Sequence, residues 1–159
     1  MTASNDGLVI EPADAGSSES IALVDAYLAE INAGFGHRPD DRDPNKPADL
    51  NPPRGMFLVV RDETGTAVGC CALRMLDPTT AEIKRMWLAD SIRGRGMGRQ
   101  LLEAIERVAI DLGAKRAVLD THESLTPAIS LYERSGFVRV ERYNANVQAT
   151  HWFAKDLIG

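Results

Sequence analysis

The chain has 159 residues, 44% apolar and 26% charged, which suits one globular domain with a real hydrophobic core. No apolar run approaches the ~20 residues of a membrane span, and residues 1–6 lack the basic flank and apolar stretch of a signal peptide. A cytoplasmic protein without membrane contact is expected, and a net charge of −5 argues against general nucleic-acid binding.

Residues 8–10 read as a short strand. Helical spacing follows, with Ile21, Val24, Leu28 and Ile31 on one face, Ser17 or Ser18 as N-cap and Gly34 as terminator. Residues 36–53 are rich in Pro, Asp, Asn and Arg and form a long loop, with one helical turn around Pro47–Leu50. Loops of that length are often functional, so it is a candidate substrate lid. Residues 56–61, 67–76 and 81–89 read as three successive strands joined by tight turns at 62–65 and 77–79. Cys70 and Cys71 are neighbours on the second of these, so their side chains point to opposite faces and no disulfide joins them. Neither they nor His37, His122 and His151 have metal-ligand spacing.

The third strand carries a phase slip. Ile83 lies on one side of the two-residue alternation, whereas Met86 and Leu88 lie on the other. A β-bulge near residues 85–86 accounts for it, and so does a strand buried on both faces. A strong amphipathic helix follows at 97–112, with Met97, Leu101, Ile105, Val108 and Leu112 inward, widened by Leu102 and Ala109 and closed by Gly113. A strand at Arg116–Thr121 leads to a short helix with Thr126 as N-cap, Pro127 at N1 and Gly136 after its end. Residues 137–141 and 148–155 close the chain as an antiparallel pair. The order is β-α-loop-β-β-β-α-β-α-β-β, a mixed α/β domain around a central sheet.

Between the third strand and the strong helix stands Arg93-Gly94-Arg95-Gly96-Met97-Gly98-Arg99. Alternating glycines let backbone approach a ligand closely, and the helix start adds unpaired N–H groups and the positive end of its dipole. Such a loop suits phosphate, with Arg93, Arg95 and Arg99 as added charge; a flexible connector is the plainer reading. A P-loop is excluded because no lysine follows the glycines. A dinucleotide fingerprint is excluded because Arg99 stands where its third glycine belongs.

The sequence resembles the GNAT superfamily of N-acetyltransferases from about residue 54 to 157. The resemblance is carried by Ala81 to Gly98 (AEIKRMWLADSIRGRGMG) and by Ala128 to Phe137 (AISLYERSGF), two motifs in the right order and at the right separation. It implies a mostly antiparallel sheet splayed at its middle strands, flanked by helices, with acetyl-CoA as cofactor and its pantetheine arm in the splay. By position, residues 93–99 would hold the pyrophosphate through backbone N–H groups. Met86, Trp87 and Leu88 would present backbone to the pantetheine like an added strand, and Ala128 and Tyr132 would line its sulfur end. The suspected bulge falls where the family opens its sheet. Many members carry an asparagine at the position of Leu125, so Ser124 or Thr126 is a candidate substitute here.

Under that resemblance the expected activity is acetyl transfer to the amine of a small molecule or peptide, by direct attack in a ternary complex. Tyr132 is the candidate acid for the leaving thiolate, with packing of its helix as the structural alternative. Glu82 is the candidate base through water, with pairing to Lys84 or Arg85 as the alternative. The N–H near Leu88 is a candidate oxyanion donor. The cysteines are poor nucleophiles because nothing basic activates them. On the acceptor side stand Asp40, Asp41 and Asp43 in the long loop, and Tyr143, Asn144 and Asn146 before the last strand. The rival readings are a non-catalytic acyl-CoA sensor or partner-binding module, and a nucleotide-binding protein using the same loop. A homodimer is an assembly the resemblance allows.

Overall fold

The computed structural model describes residues 2–3, 7–35 and 47–157. Within them the expected elements appear in the expected order, preceded by a two-residue strand that the sequence did not predict: β1 (Thr2–Ala3), then β2 (Val9–Pro12), α1 (Ser18–Phe35), β3 (Gly55–Arg61), β4 (Ala67–Asp77), β5 (Thr80–Leu88), α2 (Met97–Asp111), β6 (Arg116–Thr121), α3 (Thr126–Arg134), β7 (Val138–Val140) and β8 (His151–Asp156). A 3-10 turn stands at Pro47–Leu50, where the sequence predicted one helical turn. The rest of the proposed lid, residues 36–46 with Asp40, Asp41 and Asp43, lies outside the described residues.

The strands form one sheet in the order β1-β2-β3-β4-β5-β6-β8-β7. Every neighbouring pair is antiparallel except β5 and β6. Strand alternation splits the apolar side chains between two faces. Leu23 of α1 packs on one face with Phe57, Val59, Cys70 and Ala72. On the other face Leu101, Leu102 and Ile105 of α2 and Tyr132 of α3 pack against Leu58, Cys71, Ile83 and Phe153. The adjacent cysteines therefore belong to different cores and both are free thiols. The result is helix, sheet and helix in three layers.

The phase slip is a bulge. Cys70 is opposite Trp87 and Ala72 opposite Lys84, so Cys71 alone faces both Arg85 and Met86. Arg85 takes a left-handed φ of 56°, a conformation that costs an L-residue about 1–2 kcal/mol. The extra residue returns Ile83, Met86 and Leu88 to one face, where they meet the α2 core. Pairing of β5 with β6 is confined to Thr80↔Arg116, Ala81↔Ala117 and Glu82↔Val118. Beyond it β5 stays with β4 to Leu88, and β6 stays with β8 to Thr121. The two strands part, and a cleft opens between them.

Some local expectations need correction. Ile21 is 46% exposed, because the inward face of α1 runs through Ser20, Leu23 and Ile31 instead. Ser20 can be buried there since its hydroxyl meets Ser17 Oγ at 3.0 Å, while Ser17 Oγ caps the helix by accepting the Ser20 N–H. The helix also runs through Gly34 to Phe35. Thr126 is the first residue of α3 rather than its cap; Leu125 holds the cap position without a side-chain bond.

Phe153 is fully buried and its ring lies 6.1 Å from that of Tyr132, so β8 supports α3. Phe153→Ala is expected to cost roughly 3–5 kcal/mol of stability, read by chemical denaturation.

Candidate active site

At the C-terminal end of β5 the chain makes a 3-10 turn at Asp90–Ile92 that buries Ile92, and then enters the glycine loop. Gly94 and Gly96 both have φ of 77°, and a Cβ on either would meet nothing within 4 Å. Positive φ, rather than crowding, therefore requires glycine there. Gly96 caps α2 and has no side chain, so the N–H groups of the first turn receive no capping bond from it. Gly98 is different: a Cβ there would sit 3.2 Å from Leu131, and this packs the helix start against α3.

Arg93 is not available as phosphate charge. Its Nε donates to Leu88 O at 2.7 Å, one terminal nitrogen bonds both Glu30 oxygens at 2.7 Å, and the other lies 2.8 Å from Asp90. Its N–H bonds to Asp90 O. Arg93 thus ties the loop to β5 and α1. Arg99 is 74% exposed beside Glu103. Of the three residues expected to face the pantetheine, Leu88 turns its backbone toward the cleft. The bond from Ala89 N–H to Val68 O, two residues along from the Cys70–Trp87 pair, fixes that alternation. Trp87 is directed toward β4, with its indole against the α1-side core.

The cleft has a volume of about 480 Å³ and reaches from Ala128, Tyr132 and Met86 to Arg74, Glu82 and Asp120, roofed by Tyr27, Leu28 and Ile31 of α1. Tyr132 is buried, and its hydroxyl meets Met86 Sδ at 4.0 Å. Burial above all, with lesser electrostatic contributions from Cys71, Tyr27 and Asp120, pushes its hydroxyl well above the phenol range, so it keeps its proton. Leu125 lines the cleft, and the Ser124 hydroxyl is engaged with His122 Nδ1 at 2.9 Å. Burial pushes the Cys70 thiol up to about 12 and holds Cys71 well above the ordinary thiol range, which removes both as nucleophiles.

Glu82 is 1% exposed and stands at the centre of a polar network. Its Oε1 accepts from Arg74 Nε at 2.9 Å, with Lys84 Nζ at 3.6 Å. Its Oε2 accepts from Tyr143 Oη at 2.7 Å and Asn144 Nδ2 at 3.3 Å. Burial works to raise this carboxyl, but Lys84, Tyr143 and Arg74 together outweigh it and hold the group below its ordinary range. A carboxylate held below its ordinary range in this way stays ionised and is a correspondingly weaker base. Asn144 also donates to Asp120 at 2.6 Å and accepts from Trp152 Nε1 at 2.9 Å, while Asn146 donates to Asp120 at 3.1 Å. Asn144 and Asn146 line the cleft, and Tyr143 is tied to it through its bond to Glu82. Asp120 and Arg74 were missed; the only sequence signal was a charged residue near the end of an otherwise apolar strand.

Because Glu82 has a depressed pKa in the fold, its stabilising contribution is full above its ordinary value of 4.5 and is lost as pH falls through the folded value. The stability gap between wild type and Glu82→Gln is therefore expected to narrow on acidification below 4.5, measured by urea unfolding at several pH values.

The Acetyltransferase (GNAT) family model matches residues 22–137. An uncharacterized N-acetyltransferase of Schizosaccharomyces pombe is 37% identical over 126 residues, covering 78% of this chain and 77% of the relative. Two further curated relatives are matched over only 53% and 43% of their own length. Among solved structures, a GNAT-family acetyltransferase from Staphylococcus aureus Mu50 superposes with a TM-score of 0.82 at 18% identity, covering 94% of this chain and 100% of that one. A GNAT-family acetyltransferase from Elizabethkingia anophelis, solved with acetyl-CoA bound, gives 0.63 at 21% identity over 96% and 100%. Among the described residues no helix is long and apolar enough to cross a membrane, and no cluster of His, Cys, Asp and Glu could hold a metal ion. The splayed sheet and its glycine-capped helix are thus those of the family the motifs resemble: this chain belongs to the GNAT acetyltransferases and is an acetyl-CoA-dependent acyltransferase.

Proposed function

We propose that this protein acetylates a primary amine of a small molecule held in the β5–β6 cleft, by direct attack on acetyl-CoA in a ternary complex. The observation that carries this reading is that one cleft joins a buried, protonated Tyr132 to two carboxylates and lies beside the uncapped start of α2. In this scheme the first-turn N–H groups at Met97, Gly98 and Arg99 hold the pyrophosphate, together with the backbone of Gly94, Arg95 and Gly96. Leu88 offers backbone to the pantetheine, Met86 and Ala128 line the sulfur end, and Arg93 keeps the loop in place.

The amine must lose a proton and the thiolate must gain one. Tyr132 supplies the proton to sulfur; its present partner is itself a sulfur, that of Met86. Asp120 is assigned the amine side. Its oxygens accept amide N–H bonds from Asn144 and Asn146, and among the described residues no cation pairs with it. Glu82, with two cations on one oxygen, is assigned to positioning: it holds Tyr143, Asn144 and Arg74 where the acceptor binds.

Tyr132→Phe keeps the ring that packs on Phe137 and Phe153, so the fold is expected to survive. Its kcat is expected to fall by about tenfold or more with acetyl-CoA affinity nearly unchanged, as steady-state kinetics and calorimetry would show. Unaltered turnover would remove the acid role. Coenzyme A is further expected to raise the melting temperature while ATP and NAD do not. Stabilisation without acetyl-CoA consumption over an amine panel would favour the non-catalytic sensor.

A further inference from the structure

At the end of the cleft far from the glycine loop two cations, Arg74 and Lys84, share one carboxylate, Glu82. Arg74 and Glu82 are opposite one another on β4 and β5, and Lys84, two residues along, shares their face. Both cations address the same oxygen of Glu82, at 2.9 and 3.6 Å. The other oxygen is taken by Tyr143 and Asn144, so Glu82 has no further lone pair to offer in good geometry. Arg74 bonds through Nε; among the described residues its two terminal nitrogens have no recorded partner. Lys84 is only 17% exposed, and among the described residues its ion pairing is this one long contact. A half-buried ammonium so loosely paired favours the arrival of an anion.

Across the cleft the sign reverses. Asp120 is neutralised by no cation among the described residues, and neutral Asn144 stands between it and Glu82, donating to both. The acceptor region thus has a cationic end with a free guanidinium edge and an anionic end at Asp120. We infer that the acetyl acceptor is a zwitterionic amine, an amino acid or close analogue, whose carboxylate seats on Arg74 and Lys84 while its amine lies at Asp120. This rests on the acetyl-transfer reading above and names the substrate class of the same site. Arg74's fork can take a carboxylate through two N–H groups, which gives orientation as well as affinity. A polyamine or an amino-acid ester would set a cation, or an uncharged group, against Arg74 and Lys84, and the cleft discriminates against both.

The test compares acetyl-CoA consumption with a panel of free amino acids, their methyl esters and amides, the matching decarboxylated amines, and polyamines. Free acids are expected to exceed their esters by about tenfold or more in kcat/KM, mainly through KM. In Arg74→Gln and in Lys84→Met that ratio is expected to fall toward one, with coenzyme A affinity unchanged by calorimetry. Arg74→Gln removes a partner of buried Glu82, so Lys84→Met is the decisive variant should the first fail to fold. Esters or polyamines used as well as free acids, or an acid-to-ester ratio unmoved in Lys84→Met, would overturn the inference and leave acetyl transfer standing. No consumption with any amine would overturn the transfer reading and this inference together.

Discussion

β5 and β6 share hydrogen bonds over only three residue pairs, ending at Glu82 and Val118. Beyond that point each strand has one neighbour, and the backbone groups on the facing edges must find other partners. On β5 one of them is met inside the protein, where Leu88 O accepts from Arg93. The remaining edge and the space beside it form the cleft. The bulge at Arg85 and Met86 belongs to the same event, because it turns the last part of β5 while keeping Met86 and Leu88 against the α2 core. The opening is therefore built into strand register, and no moving part is required to create it.

Two ends of that opening have different chemistry for reasons that lie in the strands. At the C-terminal end of β5 the chain must turn into α2, and glycines at positive φ make the turn while leaving the helix start uncovered. At the N-terminal end, cross-strand pairing sets Arg74 against Glu82, and Tyr143 and Asn144 donate phenol and amide hydrogen bonds to Glu82. Tyr132 sits between these ends in an apolar setting that holds its proton. The protonated Tyr132 hydroxyl and the charged groups around Glu82 and Asp120 thus line a single groove.

The fold was largely legible in the sequence because the central strands are short apolar runs bounded by turn residues and α2 has a continuous apolar stripe. Even the bulge showed, as a shift in phase between Ile83 and Met86. What misled were local choices that packing decides. Ile21 looks like a core residue, yet the rotation of α1 buries Ser20 in its place, made tolerable by Ser17. Arg93 looks like a phosphate ligand, but Glu30, distant in sequence, takes its guanidinium. Glu82 reads as a base or as a partner of Lys84 on its own strand; Arg74 and Tyr143, from other segments, complete the network that holds it ionised. Asp120 carries no motif at all; its meaning comes only from Asn144 and Asn146 folding onto it. Long-range partners, absent from any local pattern, decide charge and role.

The most direct measurement is a crystal structure of the full chain with coenzyme A bound. The account predicts pyrophosphate oxygens on the N–H groups of Met97, Gly98 and Arg99, the pantetheine along Leu88, and the sulfur within hydrogen-bonding reach of the Tyr132 hydroxyl. Coenzyme A bound outside the β5–β6 cleft, or a sulfur remote from Tyr132, would contradict it.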